Sequence, residues 1–166
     1  MGNKVYKLFL SLLIAFIFFI TLSSCGLSIR LRSLFGGKLK VEVKINENVN
    51  LNSPVAVDML IIKDEKLFEK LITMSSKEWF DKKAQIKKDF ANGLGLDLWE
   101  WEWVPGQKIP MQKLPLRPKA KAGFIFADYF TEGVHRARFN PYIDIKLFLL
   151  EKDFLVEPLK KGNVKQ

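Results

Sequence analysis

From Lys38 to Ile45 the chain alternates without a fault. Leu39, Val41, Val43 and Ile45 lie on one side, and Lys38, Lys40, Glu42 and Lys44 on the other. Period two with one apolar face predicts a half-buried strand. Val55 to Ile62 is a second strand, apolar on both faces and so expected to be covered on both. The period then changes. Leu67, Phe68, Leu71 and Ile72 form one stripe of a short helix opened by Asp64. Ser75-Ser76-Lys77-Glu78 supplies an N-cap and first-turn acid for another helix, with Trp79 and Phe80 facing inward. Lys82, Lys83, Lys87 and Lys88 are expected on its solvated side, and Asn92-Gly93-Leu94-Gly95 closes the insertion.

Strand periodicity returns at Leu96, where Trp99, Trp101 and Trp103 share one face and Glu100 and Glu102 the other. Pro105-Gly106 turns the chain into Gln107 to Leu116, whose Pro110 and Pro115 mark an edge strand. Ala122 to Phe130, Tyr142 to Leu150 and Phe154 to Glu157 complete the set. Many short strands with frequent turns predict a mainly β fold, a β-sandwich with a small helical insertion.

The first residues follow another pattern. Lys4 and Lys7 precede an apolar run from Leu8 to Ile20, too short to span a bilayer comfortably, and small residues follow it. This is the pattern of a secretory signal peptide. The small residues end at Cys25, the one cysteine of the chain, and Leu22-Ser23-Ser24-Cys25-Gly26 resembles the lipobox of bacterial lipoproteins. That resemblance implies an acylated Cys25 as mature N-terminus, anchored by more than one acyl chain. An uncleaved signal anchor, and a signal cleaved elsewhere, are the competing readings. The organisation expected is signal peptide 1–24, lipid-anchored linker 25–37, β-sandwich domain 38–158 and polar tail 159–166.

The chain has 166 residues and a formal charge of +9. With a single cysteine, an intrachain disulfide is excluded, so packing must hold the domain together; 14 Phe and 4 Trp supply apolar area. The basic charge is scattered, which favours an anionic membrane surface or an acidic partner over nucleic acid.

Catalytic chemistry has little support. His135 has no cysteine partner but Cys25, and His/Cys metal spacing is absent, so neither cofactor nor metal is expected. Glu100 and Glu102 read better as a solvated outer face than as a glycosidase pair. The tryptophans read better as core than as a carbohydrate platform, with Trp101 in the middle of that core. Arg136 and Arg138 read as solvated charges. The polar loop Asn46, Glu47, Asn48, Val49, Asn50, Leu51, Asn52 and Ser53 is the candidate partner site, because binding residues concentrate on loops of rigid sandwiches. Val49 and Leu51 are its expected anchors, and replacing Asn48 to Leu51 with Gly-Ser is expected to leave folding near normal.

The order of features carries a family resemblance. A lipobox is followed by strand, loop and Ser53-Pro54-Val55-Ala56-Val57. After the helical insertion come Trp103-Val104-Pro105-Gly106-Gln107, the run Lys121 to Phe130, and Arg136-Ala137-Arg138-Phe139. This is similar to the TssJ (VasD or SciN) outer-membrane lipoproteins of type VI secretion systems. The resemblance implies a transthyretin-like sandwich tethered to the outer membrane and facing the periplasm. It also implies binding to the periplasmic C-terminal part of an inner-membrane TssM-like protein, mainly through the loop matching Asn46 to Ser53. That loop departs from the family pattern, keeping only Ser53-Pro54 of a Gly-Arg-Pro-Ser-like stretch. The alternative function is a lipoprotein binding a small molecule or glycan through its aromatic strand.

Overall fold

The computed structural model describes residues 37–90 and 95–159. The expected signal peptide, Cys25, most of the linker, Asn92-Gly93-Leu94 and most of the tail lie outside the described residues.

Two four-stranded sheets face each other. In the first, β1 (Lys38–Ile45) lies between β4 (Gln112–Pro115) and β7 (Ile145–Leu149), and β8 (Phe154–Pro158) closes the far edge. In the second, β2 (Val55–Ile62) and β5 (Ala122–Asp128) are central, flanked by β3 (Leu96–Trp103) and β6 (Arg136–Phe139). Every pairing is antiparallel except that of β1 with β7, which is parallel. The expected bounds of β1 and β2 hold at both ends, and β4 is an edge strand, shorter than the proline-limited segment from which it was read. The β-sandwich with a helical insertion is the fold observed.

The inward residues of β1, Leu39, Val41 and Val43, meet Val55, Val57, Met59 and Ile61 of β2 in the core between the sheets. A second core lies on the outer side of β2 and β5, because this sheet is covered. There α1 (Glu65–Leu71) and α2 (Ser76–Asp89) bury Leu67, Leu71, Trp79 and Ile86 against Leu60, Ile62, Phe124 and Phe126. Both helices start where side chains satisfy orphan amides. Asp64 accepts from the amide of Leu67 at 2.9 Å, and Ser75 with Glu78 forms a reciprocal capping box. The indole of Trp79 stacks on Phe126 at 5.2 Å between centroids.

β6 was not read as a strand in the sequence. Its two arginines interrupt any apolar run, and it pairs on one side only, with β5. Phe139 anchors it by lying over Gly123, where an added Cβ would run into the ring. The tryptophan face of β3 does turn toward the inter-sheet core. Because β3 is an edge strand, only Trp103 is buried there, at 5% exposure, while Trp99 and Trp101 are half-buried against that core. Trp101 is thus not the centre of the core that the alternation suggested. It stacks on Trp103 at 5.2 Å.

Candidate functional site

The loop from β1 to β2 is not a slack connection. Asn50, Leu51 and Asn52 have φ of 47°, 55° and 63°, a left-handed turn of three successive residues. Left-handed backbone costs an L-residue roughly 1–2 kcal/mol, with Asn among the few that visit it readily, which accounts for asparagine at 50 and 52. Leu51 has no such tolerance, so the surroundings must impose its conformation.

They do so through hydrogen bonds. Asn50, 1% exposed, donates from Nδ2 to the carbonyl of Pro54 at 2.7 Å and accepts at Oδ1 from the amide of Phe130 at 2.7 Å. The amides of Asn50 and Leu51 donate to the carbonyls of Leu150 and Glu151, at 3.4 and 3.3 Å. Asn48 Nδ2 donates to Glu151 Oε2 at 2.6 Å. The Tyr129 hydroxyl donates to the Leu150 carbonyl at 3.2 Å. Its own pKa is pushed up by burial and by the nearby charge of Asp153. Three loops, after β1, β5 and β7, are therefore stitched into one surface at one end of the sandwich.

This geometry corrects two expectations. Val49 is fully buried in the inter-sheet core and cannot be a contact anchor. Asn50 is a structural cross-link, so replacing Asn48 to Leu51 with Gly-Ser removes stabilising bonds rather than sparing the fold. Of the candidate residues, Asn46, Glu47, Leu51 and Asn52 are exposed, and Asn48 and Ser53 are half-buried. The other loops add what sequence reading missed. Phe130 is 73% exposed, Val134 53%, Leu51 46% and Leu150 42%. Phe130, the last residue of the strand expected from Ala122, lies beyond the end of β5 at Asp128. Asp128 closing the apolar run, with Thr131-Glu132-Gly133 close behind, is the sequence signal that this aromatic sits on a loop.

His135 braces the same end. Its ring is buried, stacks on Tyr129 at 5.0 Å, and faces Asp153 Oδ1 through Nδ1 at 3.0 Å and the Thr131 carbonyl through Nε2 at 2.8 Å. Every partner is a loop group of this cluster, which gives the histidine a bracing role. Among the described residues no three His, Cys, Asp or Glu side chains are grouped to hold a metal.

The two glutamates of β3 part company. Glu102 is exposed, but Glu100 pairs with Lys87 at 2.7 Å and Lys83 at 3.1 Å. The first of these bonds, with Lys83 assisting against partial burial, holds its carboxyl below the usual range. Lys83 also reaches the buried Asp58 at 3.0 Å, to which Trp79 Nε1 donates at 2.8 Å. Burial nevertheless pushes the Asp58 carboxyl up, and its Oδ1 has no hydrogen-bond partner. Lys83 and Lys87 are thus not the purely solvated side chains expected. Arg136 is likewise engaged, donating to the carbonyls of Met74 at 2.7 Å and Leu71 at 3.4 Å behind α1. Arg138 lies over the Phe68 ring at 5.0 Å. With Trp103 buried and its two neighbours packed on the core, the aromatic strand presents no open platform for a sugar.

No family model matches the chain, and no curated protein matches it. Solved structures do. The type VI secretion lipoprotein TssJ1 from Pseudomonas aeruginosa is 11% identical, with 76% of this chain covering 99% of that one at a TM-score of 0.60. Lip from Serratia marcescens, a membrane-bound component of the type VI secretion system, is 14% identical, with coverages of 77% and 99% and a TM-score of 0.54. A chain of the structure described as the type VI secretion protein TssM C-terminal domain from EAEC is 15% identical, with coverages of 74% and 97% and a TM-score of 0.50. At these identities the likeness is one of fold, and it extends over nearly the whole length of each solved chain. The chain has a TssJ-like fold.

Proposed function

We propose that this chain is a non-enzymatic lipoprotein, acylated at Cys25, that sits on the outer membrane facing the periplasm. There it anchors a type VI secretion envelope complex by binding the periplasmic C-terminal region of a TssM-like inner-membrane protein. One observation carries the reading at residue level. Exposed Leu51, Phe130 and Leu150 stand on three loops locked together by hydrogen bonds, at the end of the sandwich opposite the start of β1. Apolar anchors on a pre-ordered surface are what a small, stable interface needs. The TssJ-like fold and the pairing of a lipobox with a +9 chain support the setting.

The test is a binding titration of the full chain against the periplasmic C-terminal region of a TssM-like protein. Phe130→Asp and Leu51→Asp should each weaken binding by about tenfold or more, since buried apolar anchors commonly contribute over 1 kcal/mol, while melting stays near that of the parent. Unchanged affinity in both variants would overturn the assignment of this surface. Independently, mass spectrometry of the mature protein should find a diacylglyceryl or triacyl group on Cys25; a bare thiol there removes the anchor.

A further inference from the structure

The two ends of the sandwich carry different charge. β1 leaves the linker at Lys38 and reaches the loop surface about 25 Å later, so linker and loops lie at opposite ends. Beside Lys38 the amide of Leu116 donates to the carbonyl of Gly37 at 2.9 Å, which brings the connection from β4 to β5 against the linker exit. That end presents exposed Lys38, Lys40, Lys113, Arg117, Lys119 and Lys121. The acids near it include Asp64, Glu65, Asp89, Asp97, Asp144 and Glu157, with Lys63 and Lys88 among them. Some charges of this end are paired with one another, Asp97 with Lys63 and Arg117 at 3.1 and 3.2 Å and Glu65 with Lys121, while Asp144 accepts from the Lys40 amide at 2.9 Å; basic side chains still outnumber the acids there. The loop end instead carries Glu47, Asp128, Glu132, Glu151 and Asp153, with Lys44, Lys108 and Lys152 among them.

We propose that the basic end around the linker exit rests against the phosphate groups of an anionic phospholipid surface, which stands the domain upright with its loops pointing away. This rests on the acylated-anchor reading and goes beyond it, because acyl chains fix distance but not orientation. Only residues 26–37 separate Cys25 from Lys38, an extended reach of at most about 47 Å, so the basic end is held within reach of the headgroups. Each lysine near an anionic leaflet adds roughly 1 kcal/mol of attraction, confined to about a Debye length. The acidic loop end feels the opposite force, so the field turns the domain one way.

The experiment uses the full acylated chain reconstituted into vesicles of phosphatidylethanolamine with phosphatidylglycerol, or of phosphatidylcholine alone. Lysines are acetylated briefly and read by mass spectrometry. On anionic vesicles at low salt, Lys113, Lys119 and Lys121 should react at least about threefold more slowly than on phosphatidylcholine, with Lys44, Lys108 and Lys152 unchanged. About 0.5 M salt should erase the difference. Equal reactivity on the two vesicle types, or protection at the loop end, overturns the orientation while leaving the anchor standing. Failure of the chain to float with either vesicle overturns the anchor and the orientation with it.

Discussion

The two outer faces of the sandwich solve the same problem in opposite ways. The face of β2, β3, β5 and β6 is roofed by helices and contains a buried carboxylate, Asp58, held by Trp79 and Lys83. Among the described residues nothing roofs the face of β4, β1, β7 and β8. Its outward residues are Lys38, Lys40, Glu42 and Lys44 of β1, with Lys146 and Phe148 of β7 and Leu155 of β8. Stability should concentrate under the roof, whereas the bare face should tolerate substitution. The difference teaches that alternation alone is enough for a wet face, but a covered face needs shape and satisfied polar groups.

The largest effect that could break this comparison is Trp79→Ala. It empties the centre of the second core and removes one of the two donors to Asp58, and should cost about 3–5 kcal/mol in chemical denaturation. A loss under 1 kcal/mol would mean the helices are a loose cover. Asp58→Ala should follow at about 1–3 kcal/mol, because the Trp79 Nε1–H is left buried without an acceptor.

A pH series sharpens the contrast within the covered face. The folded Asp58 carboxyl is raised above its ordinary 3.8, so the native state holds its proton longer than the unfolded chain does. Its effect is to lower stability as pH rises from that value through its folded pKa. Glu100 is lowered from its ordinary 4.5, chiefly by Lys87, so its contribution is present above 4.5 and lost as pH falls through the folded pKa. Relative to the parent, Asp58→Asn should therefore gain stability between acid and neutral pH, and Glu100→Gln should lose it. Melting curves across that range check the signs. For the half-exposed Glu100 the difference should stay within about 1 kcal/mol. The smallest effect belongs to the bare face: Leu155→Ser should change stability by no more than about 0.5 kcal/mol.

Much of the fold was legible where period and chemistry agree. β1, β2, the start of β3 and both helix caps follow from alternation, an apolar stripe, Asp64 and Ser75. β6 was hidden because a four-residue edge strand of Arg-Ala-Arg-Phe offers only Ala137 and Phe139 to a core. The candidate site was half legible. Asn density announced an unusual turn, yet nothing local told that Val49 points inward and Leu51 outward. That depends on three left-handed residues fixed by Leu150, Glu151 and Phe130, far away in sequence. Phe130 and Leu150 joined the surface through the same long-range bonds. The pairing of Glu100 with Lys83 and Lys87 was equally invisible, since helix and strand periodicities were read separately.

The parallel pairing of β1 with β7 also bears on how the domain comes into being. Groups that touch there, such as the Lys40 amide and Asp144, are separated by 104 positions. β1 is the first strand among the described residues, and its pairing with β7 cannot form until Ile145–Leu149 has been made. Such distant pairing slows folding toward the millisecond-to-second range typical of β topologies. Until then β1 exposes Leu39, Val41 and Val43 together with an open hydrogen-bonding edge. The lysines alternating with them keep that waiting strand soluble and discourage it from pairing with other chains.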